Sequence, residues 1–251
     1  MQIQRIASMI YTLDNETDIL TNIKLVPEPD NMESLGCFGT HDKPSIVCTH
    51  LYVDKGLATD ISCKGELILQ GGKIDRVQVE QGGSLLALQG TALNVEELGG
   101  DVDTGAFQGE ITFVPMKWSA TKLETPASVH KGNVCYNTTI FRYGTLFVYD
   151  GGHAHDLELY GGDLEILEGG DVFNVILHEH GDCTVENDGC IRNVTVEQDA
   201  CLRLKSGAKA LDVTIKKGGR LIEEKGAITD RITMENGGRW DRKQSNAKTD
   251  Y

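Results

Sequence analysis

Residues 162–181 read GDLEILEGGDVFNVILHEHG, and the pattern of this stretch decides the fold. Apolar residues alternate with polar ones on both sides of a glycine pair, as in Leu164 and Ile166 before Gly169-Gly170. Alternation with a period of two is typical of a strand with one buried face, and a helix would show a period of 3.6. The stretch therefore predicts two short strands joined by a glycine corner.

The same unit recurs along the chain at a step that is constant to within one position. Its first position is occupied by Gly144, Gly162, Gly181, Ala200, Gly219 and Gly238. Two positions further on, the apolar residue repeats as Leu146, Leu164, Cys183, Leu202 and Leu221. One unit cannot bury its apolar row alone, whereas stacked units bury a continuous row. The prediction is an all-β protein, a β-solenoid (parallel β-helix) of 18–19-residue coils.

Interruptions of the repeat divide the chain. Residues 1–64 lack the repeat and predict an N-terminal cap or subdomain, because a solenoid end needs cover. First coils are expected at 65–113, an inserted loop at 114–126, the main solenoid at 127–239 and a polar tail at 240–251. Inserted loops often form binding surfaces, which makes Trp118 and Lys117 candidate contact residues. In the alternative interpretation, Trp118 packs back on the solenoid flank.

A polar column accompanies the repeat. It comprises Asp156, Asn174, Asn193 and Asp212, followed by Arg231. We expect a turn ladder whose side chains bond the backbone of the next coil and stabilise the stack.

The pattern of glycine pairs and alternating apolar residues in these 18–19-residue units resembles the AIDA-type repeats of bacterial autotransporter adhesins. The best matches are residues 65–83 and 144–238. Those repeats form the β-helical stalk of surface adhesins. The resemblance therefore implies a solenoid with a non-enzymatic, surface-presenting role.

Charge is the second informative property. The chain has 24 Lys and Arg against 38 Asp and Glu, a net charge of −14, so direct binding to nucleic acid or to an anionic membrane is not expected. Residues 143–191 contain no Lys or Arg. The candidate acidic face within this tract comprises Asp150, Glu158, Asp163, Glu165, Glu168, Asp171, Glu179, Asp182 and Glu186. It is either a solvated surface that keeps the protein soluble or a binding surface for a protein partner with a basic surface.

These observations predict a non-enzymatic β-solenoid that binds a protein partner through its acidic surface, for instance a phage-derived inhibitor that imitates nucleic acid. One alternative is an adhesin-like structural rod at the cell surface. A second alternative is a polysaccharide hydrolase or lyase, since parallel β-helices host such enzymes and carboxylates are abundant. The column His153, Asp171 and Cys190 contains the residue types of a cysteine-nucleophile site, but nothing in the sequence marks an oxyanion hole.

No cofactor is expected, with a metal ion as the alternative. In the repeat frame Glu197 falls beside His178 and Asp199 beside His180, a set of ligand types that suits Zn²⁺. Calcium would relieve the repulsion between Asp163 and Asp182, which occupy equivalent positions in adjacent coils.

Location and assembly follow from weaker signals. No apolar run is long enough for a membrane span, and the first residues lack the apolar stretch of a secretory signal. Seven cysteines without a short-spaced pair favour reduced thiols, so we expect a cytoplasmic protein, with the cell surface as the alternative. Opposite charge at the two ends would permit homo-oligomers.

Overall fold

The computed structural model describes residues 10–27 and 46–243, and within them the chain forms strands and turns without a helix. Strands of successive coils pair in parallel throughout the four sheets. The β-solenoid prediction is therefore confirmed. Backbone contacts divide the chain into two units, residues 1–116 and 117–251.

The first unit contains a five-stranded and a six-stranded sheet. Its strands are β1 (Ile10–Leu13), β2 (Ile19–Leu25), β3 (Ile46–Cys48), β4 (His50–Val53), β5 (Leu57–Cys63), β6 (Glu66–Leu69), β7 (Lys73–Glu80), β8 (Ser84–Ala87), β9 (Gln89–Leu98), β10 (Asp101–Asp103) and β11 (Gln108–Phe113). Strands β1, β4, β6, β8 and β10 form one sheet, and β11, β9, β7, β5, β2 and β3 the other. Their inward side chains form one apolar core between the sheets.

Solenoid coils begin before residue 65, where the sequence pattern placed a cap. Strand β1 pairs with β4, and β2 pairs with β5 in a register that sets Leu25 beside Cys63. The described part of the predicted cap, residues 10–27 and 46–64, thus belongs to the two sheets, and the rest lies outside the described residues. Sequence reasoning missed these coils because their steps are irregular: Leu13 pairs with Val53 and Leu51 with Leu67, whereas in the second unit Leu164 pairs with Cys183.

The second unit contains two seven-stranded sheets. One consists of β12 (Lys117–Trp118), β14 (Val134–Phe141), β16 (His153–Tyr160), β18 (Asp171–Leu177), β20 (Cys190–Val196), β22 (Lys209–Ile215) and β24 (Ile228–Met234). The other consists of β13 (Pro126–Val129), β15 (Thr145–Val148), β17 (Asp163–Ile166), β19 (Asp182–Val185), β21 (Cys201–Leu204), β23 (Arg220–Glu223) and β25 (Arg239–Arg242). The shorter strands of the second sheet alternate along the chain with the longer strands of the first.

The inward rows of this unit follow the sequence repeat. Leu146, Leu164, Cys183, Leu202 and Leu221 pair in register from strand to strand and are fully buried. Burial of apolar side chains contributes about 25 cal/mol per Å² of area removed from water. A single coil would leave these rows exposed, so stacking provides most of the stability.

Each coil contains one short strand and one longer strand that bends, whereas the sequence pattern predicted two short strands. The bend lies at the polar column, where Asn137, Asp156, Asn174, Asn193, Asp212 and Arg231 all have positive φ. Asn and Asp tolerate this left-handed conformation better than most residues. Their side chains bond one another, with Asn193 Nδ2 donating to Asn174 Oδ1 at 2.7 Å and Asn174 Nδ2 to Asp156 Oδ1 at 2.9 Å. The ladder thus joins side chain to side chain, where the sequence predicted bonds to backbone.

The two glycines of a pair have different tasks. Gly169 adopts φ 75°, which glycine reaches without steric cost. At Gly170 a Cβ would lie 2.4 Å from the carbonyl oxygen of Val148 in the preceding coil. One glycine makes the turn, and the next lets neighbouring coils approach closely.

Part of the predicted inserted loop joins the solenoid. Lys117 and Trp118 form β12 and pair with Val134 and Cys135 of β14. Trp118 is buried within the apolar core of the second unit, rather than on its flank as the alternative interpretation expected, because its position is in register with the inward Cys135. Its ring is therefore not an exposed contact residue, whereas Lys117 is exposed.

The polar ladder makes the first testable prediction. Replacing Asn174 by Ala removes two side-chain hydrogen bonds. It also places alanine, which has no side-chain hydrogen bond to offset the strain, at a φ of 57°. The free energy of unfolding should therefore fall by about 2 kcal/mol. Asn174→Gly removes the same bonds but tolerates the backbone, and should lose about 1 kcal/mol less. Chemical denaturation of both variants measures the difference. Equal stability of the two variants would show that the backbone conformation carries no penalty.

Candidate interaction surface

The acidic residues predicted from sequence lie on the outside of the second unit but not on a single face. Asp163, Glu165 and Asp182 belong to the sheet of short strands, and Glu158 and Asp171 to the sheet of long strands. The remaining four follow strand ends: Asp150, Glu168 and Glu186 after short strands and Glu179 after a long one. The tract is therefore spread over two sheets and the turns that connect them.

Two of these carboxylates, and Asp188 of the same tract, are paired with bases of the following coil. Arg192 Nη2 donates to Asp171 Oδ1 at 2.7 Å, and Lys209 Nζ lies 2.7 Å from Asp188 Oδ1. The recurrent sequence separation is 21 residues, which also joins Asp182 to Arg203 at 3.4 Å. This separation corresponds to one coil plus two positions, the diagonal neighbour on the same face of a parallel sheet. Sequence reasoning missed these pairs, although a base at this fixed distance after an acid is a readable signal.

At Glu165 the diagonal neighbour is another acid. The equivalent diagonal position is occupied by Glu186, and this like charge adds to the effect of burial. Burial first, then Glu186 and Asp163, raises the pKa of Glu165 to about 7 despite a hydrogen bond with Thr184. Burial and the facing Asp182 also raise the pKa of Asp163.

We call Asp163, Glu165 and Glu186 the uncompensated acidic cluster. In the described part of the chain no Lys or Arg nitrogen lies within 4 Å of these three carboxylates. The same is true of Asp150 and Glu168 in the turns. These two turn residues line an open groove of about 520 Å³ together with Asp188 and Lys209.

Aromatic side chains form two stacked columns on the sheet of long strands. Phe141, Tyr160 and His178 stack with ring centroids 5.6 and 4.1 Å apart. In the other column, His155 lies between Tyr136 and Phe173, at 5.9 and 4.8 Å. Stacking within a column covers the ring faces and leaves mainly the edges to solvent. The arrangement stabilises the coil stack and offers few open ring faces for stacking on a sugar.

Tyr143 is the most exposed large hydrophobic residue of the described chain, with 78% of its surface accessible, and sequence reasoning did not single it out. It lies in the turn after β14 with φ 76°, a conformation that is unfavourable for a bulky side chain. The equivalent turn position is glycine in three later coils, at Gly161, Gly218 and Gly237, and it is His180 and Asp199, also with positive φ, in the other two. Tyr160 is also exposed, at 42%.

The four residues predicted to bind a metal are only partly brought together. His178 Nδ1 lies 2.9 Å from Glu197 Oε2, and Lys216 holds the other oxygen of that carboxylate at 2.7 Å. His180 and Asp199 lie in exposed turns, and their nearest polar partners are Glu179 and Gln198. Residues 10–27 and 46–243 contain no group of three or more His, Cys, Asp or Glu arranged to hold a metal ion.

The column of His153, Asp171 and Cys190 is in register as the repeat predicted. Arg192 binds Asp171 in this column, and His153 Nδ1 lies 3.5 Å from the same carboxylate. Burial, followed by the negative charge of Asp171, raises the pKa of the Cys190 thiol. A raised pKa keeps the sulfur protonated and makes it a poor nucleophile.

An open groove of about 450 Å³ follows the bend of the long strands. It is lined by the amide and carboxylate ladder and by the next outward positions, among them Thr139, Glu158, Ile176 and Thr195. Among these outward positions only Ile176 is apolar. No helix among the described residues is long and apolar enough to cross a membrane.

No protein-family model and no curated protein matches this chain. Among solved structures, the chain is similar to a fragment of TibA, residues 55–350, hyper-glycosylated by TibC. The two share 16% sequence identity with a TM-score of 0.49, over 95% of this chain and 98% of that one.

The uncompensated acidic cluster predicts a dependence of stability on pH. Because the pKa of Glu165 in the folded protein is about 7, above its ordinary 4.5, the folded state retains a proton that the unfolded state has lost between these values. Stability therefore falls as pH rises through this window. Glu165→Gln should match the unmodified protein near pH 4.5 and exceed it near pH 8 by on the order of 1 kcal/mol, since solvent screens this half-buried group.

Glu186→Lys tests the cause of this effect. It replaces the like diagonal charge by a base, as at Asp171 and Arg192, and should also raise stability at pH 8. Glu168→Gln, which removes an exposed turn carboxylate, is the control. Thermal unfolding from pH 4.5 to 8 compares the three variants. A Glu165→Gln profile parallel to that of the control would contradict the assignment.

Proposed function

We propose that this protein is a non-enzymatic β-solenoid of the adhesin-like structural type, which acts by presenting its outer faces to other molecules. The observation that carries the proposal is the separation of inside from outside. The paired inward rows are apolar and fully buried, whereas polar and aromatic groups repeat in register on the outside. A solenoid of this kind has a large ordered outer surface, which suits it to contact with other molecules.

The chemistry of the described thiols supports a role without covalent catalysis. Burial raises the pKa of Cys63 and of Cys135 to about 12 and also raises that of Cys190. These cysteines therefore stay protonated near neutral pH and behave as small apolar residues.

The exposed tyrosines are the contact residues we propose for this role. A bulky residue in the left-handed region is unfavourable by about 1–2 kcal/mol, and at Tyr143 no burial offsets this strain. Strained residues of this kind concentrate at functional positions. Tyr160 adds a second exposed phenol, whose hydroxyl donates to Glu158 at 3.1 Å.

Tyr143→Gly separates contact from stability. Glycine relieves the strain, so thermal stability should rise, by about 1 kcal/mol, while adhesion should fall. Adhesion is measured as the retention under flow of protein-coated beads on cell layers, with albumin-coated beads as the baseline. Ile228→Gly, which removes an exposed apolar side chain in the last described coil, is the control. Retention at baseline for the unmodified protein, or retention unchanged by Tyr143→Gly, would contradict the proposal.

A second candidate function is binding of a protein partner with a basic surface. It is favoured by the uncompensated acidic cluster, because the repulsion of Glu165 by Glu186 and Asp163 exceeds the opposing effect of the more distant Lys205. A basic partner would relieve this repulsion, and the gain would add to the attraction between opposite charges.

Binding of an oligolysine peptide at increasing salt tests this candidate. The double variant Glu165→Gln, Glu186→Gln should weaken binding several-fold at low salt and flatten its salt dependence. Asp212→Asn, which removes a carboxylate already paired with Arg231, should change it much less. Equal losses for the two variants would indicate attraction to net charge alone and would reject the cluster as a site.

A further inference from the structure

The apolar row of the second unit ends in charged residues. One inward column passes through Val148, Ile166, Val185 and Leu204, which pair in register and are fully buried. The same column then continues into Glu223 of β23 and Arg242 of β25. An aliphatic residue is expected at both positions from the repeat.

These two residues form a compact cluster with Trp240, the last inward aromatic residue of the described chain. Glu223 Oε2 accepts a hydrogen bond from Trp240 Nε1 at 2.8 Å and lies 3.3 Å from Arg242 Nε. The Arg242 guanidinium carbon lies 3.8 Å from the centre of the Trp240 ring, within the range of a cation–π contact. The Glu223 side chain is only 15% exposed, whereas that of Arg242 is 60% exposed. The carboxylate therefore lies inside the end of the stack, beneath the charge of Arg242.

The end of a solenoid favours association with other chains because its last strands have unpaired backbone hydrogen-bonding groups. Among the described strands, β24 and β25 are the outermost of their sheets, and β24 leaves Ile228 and Met234 more than half exposed. Exposed apolar side chains on an unpaired edge strand favour pairing with another chain. Inward-pointing charges oppose such pairing, because a further coil would bury them without water.

We propose that Glu223, Trp240 and Arg242 form a terminal stop, which prevents a second copy of the chain from adding to the open edge of the last described coil. The function of the stop is to keep the coils of another copy from stacking on this edge. It is independent of the partner that the outer faces contact.

The test restores the aliphatic column. Glu223→Leu, Arg242→Leu should fold, since replacing an ion pair by apolar residues of similar volume is often neutral or stabilising. Sedimentation velocity over about a hundredfold range of concentration should then show self-association that the unmodified protein lacks. The matched control is Glu224→Leu, Arg239→Leu, which makes the same change of residue types at neighbouring positions outside the column.

A reversed pair, Glu223→Arg with Arg242→Glu, distinguishes a stop from a mere stabilising contact. It keeps charge at the end of the column and should remain as dispersed as the unmodified protein, even where its melting temperature falls. Should the double leucine variant unfold, Arg242→Leu alone, judged by its circular dichroism and its sedimentation, takes its place. The proposal is overturned if the folded leucine variants sediment like the control, or if the unmodified protein already associates through this edge.

Discussion

Parallel pairing between successive coils is the constraint on which the rest of the structure depends. Backbone groups of one coil bond the next at a step that stays constant through most of the second unit, so each side chain lies beside its equivalent in the neighbouring coil. A residue type that packs or bonds well beside its own kind therefore stabilises the stack at every coil, and one that does not destabilises it at every coil. The apolar rows, the amide ladder and the aromatic columns all follow from this repetition.

Repetition also explains the electrostatics. Like charges at equivalent positions would lie about 4.8 Å apart, a spacing that is unfavourable without a counter-charge. The second unit avoids most of this repulsion by diagonal pairs such as Asp171 with Arg192 and Asp182 with Arg203. Glu165 has no such pair, since its diagonal neighbour is Glu186, and burial together with this like charge raises its pKa. The net charge of the tract is therefore a poor guide to where charge stays uncompensated.

The candidate surface was predictable only in part. The repeat frame correctly placed His178 beside Glu197 and aligned His153 with Asp171 and Cys190, because register follows from counting residues. Counting did not reveal that Trp118 would be buried or that Tyr143 would be exposed in a strained turn. Those outcomes depend on where β12 pairs and on how each turn is closed.

The sequence by itself determined the solenoid, the inward rows and the length of most coils, because glycine pairs and alternation are local signals that recur at a constant step. It did not reveal the coils before residue 65, where the steps from Leu13 to Val53 and from Leu51 to Leu67 break that regularity. Only the tertiary structure decided which acids are compensated and how Glu223, Trp240 and Arg242 close the last described coil. The physical reason is that charge compensation and edge protection depend on neighbours in adjacent coils, and a one-dimensional repeat does not specify the directions of their side chains.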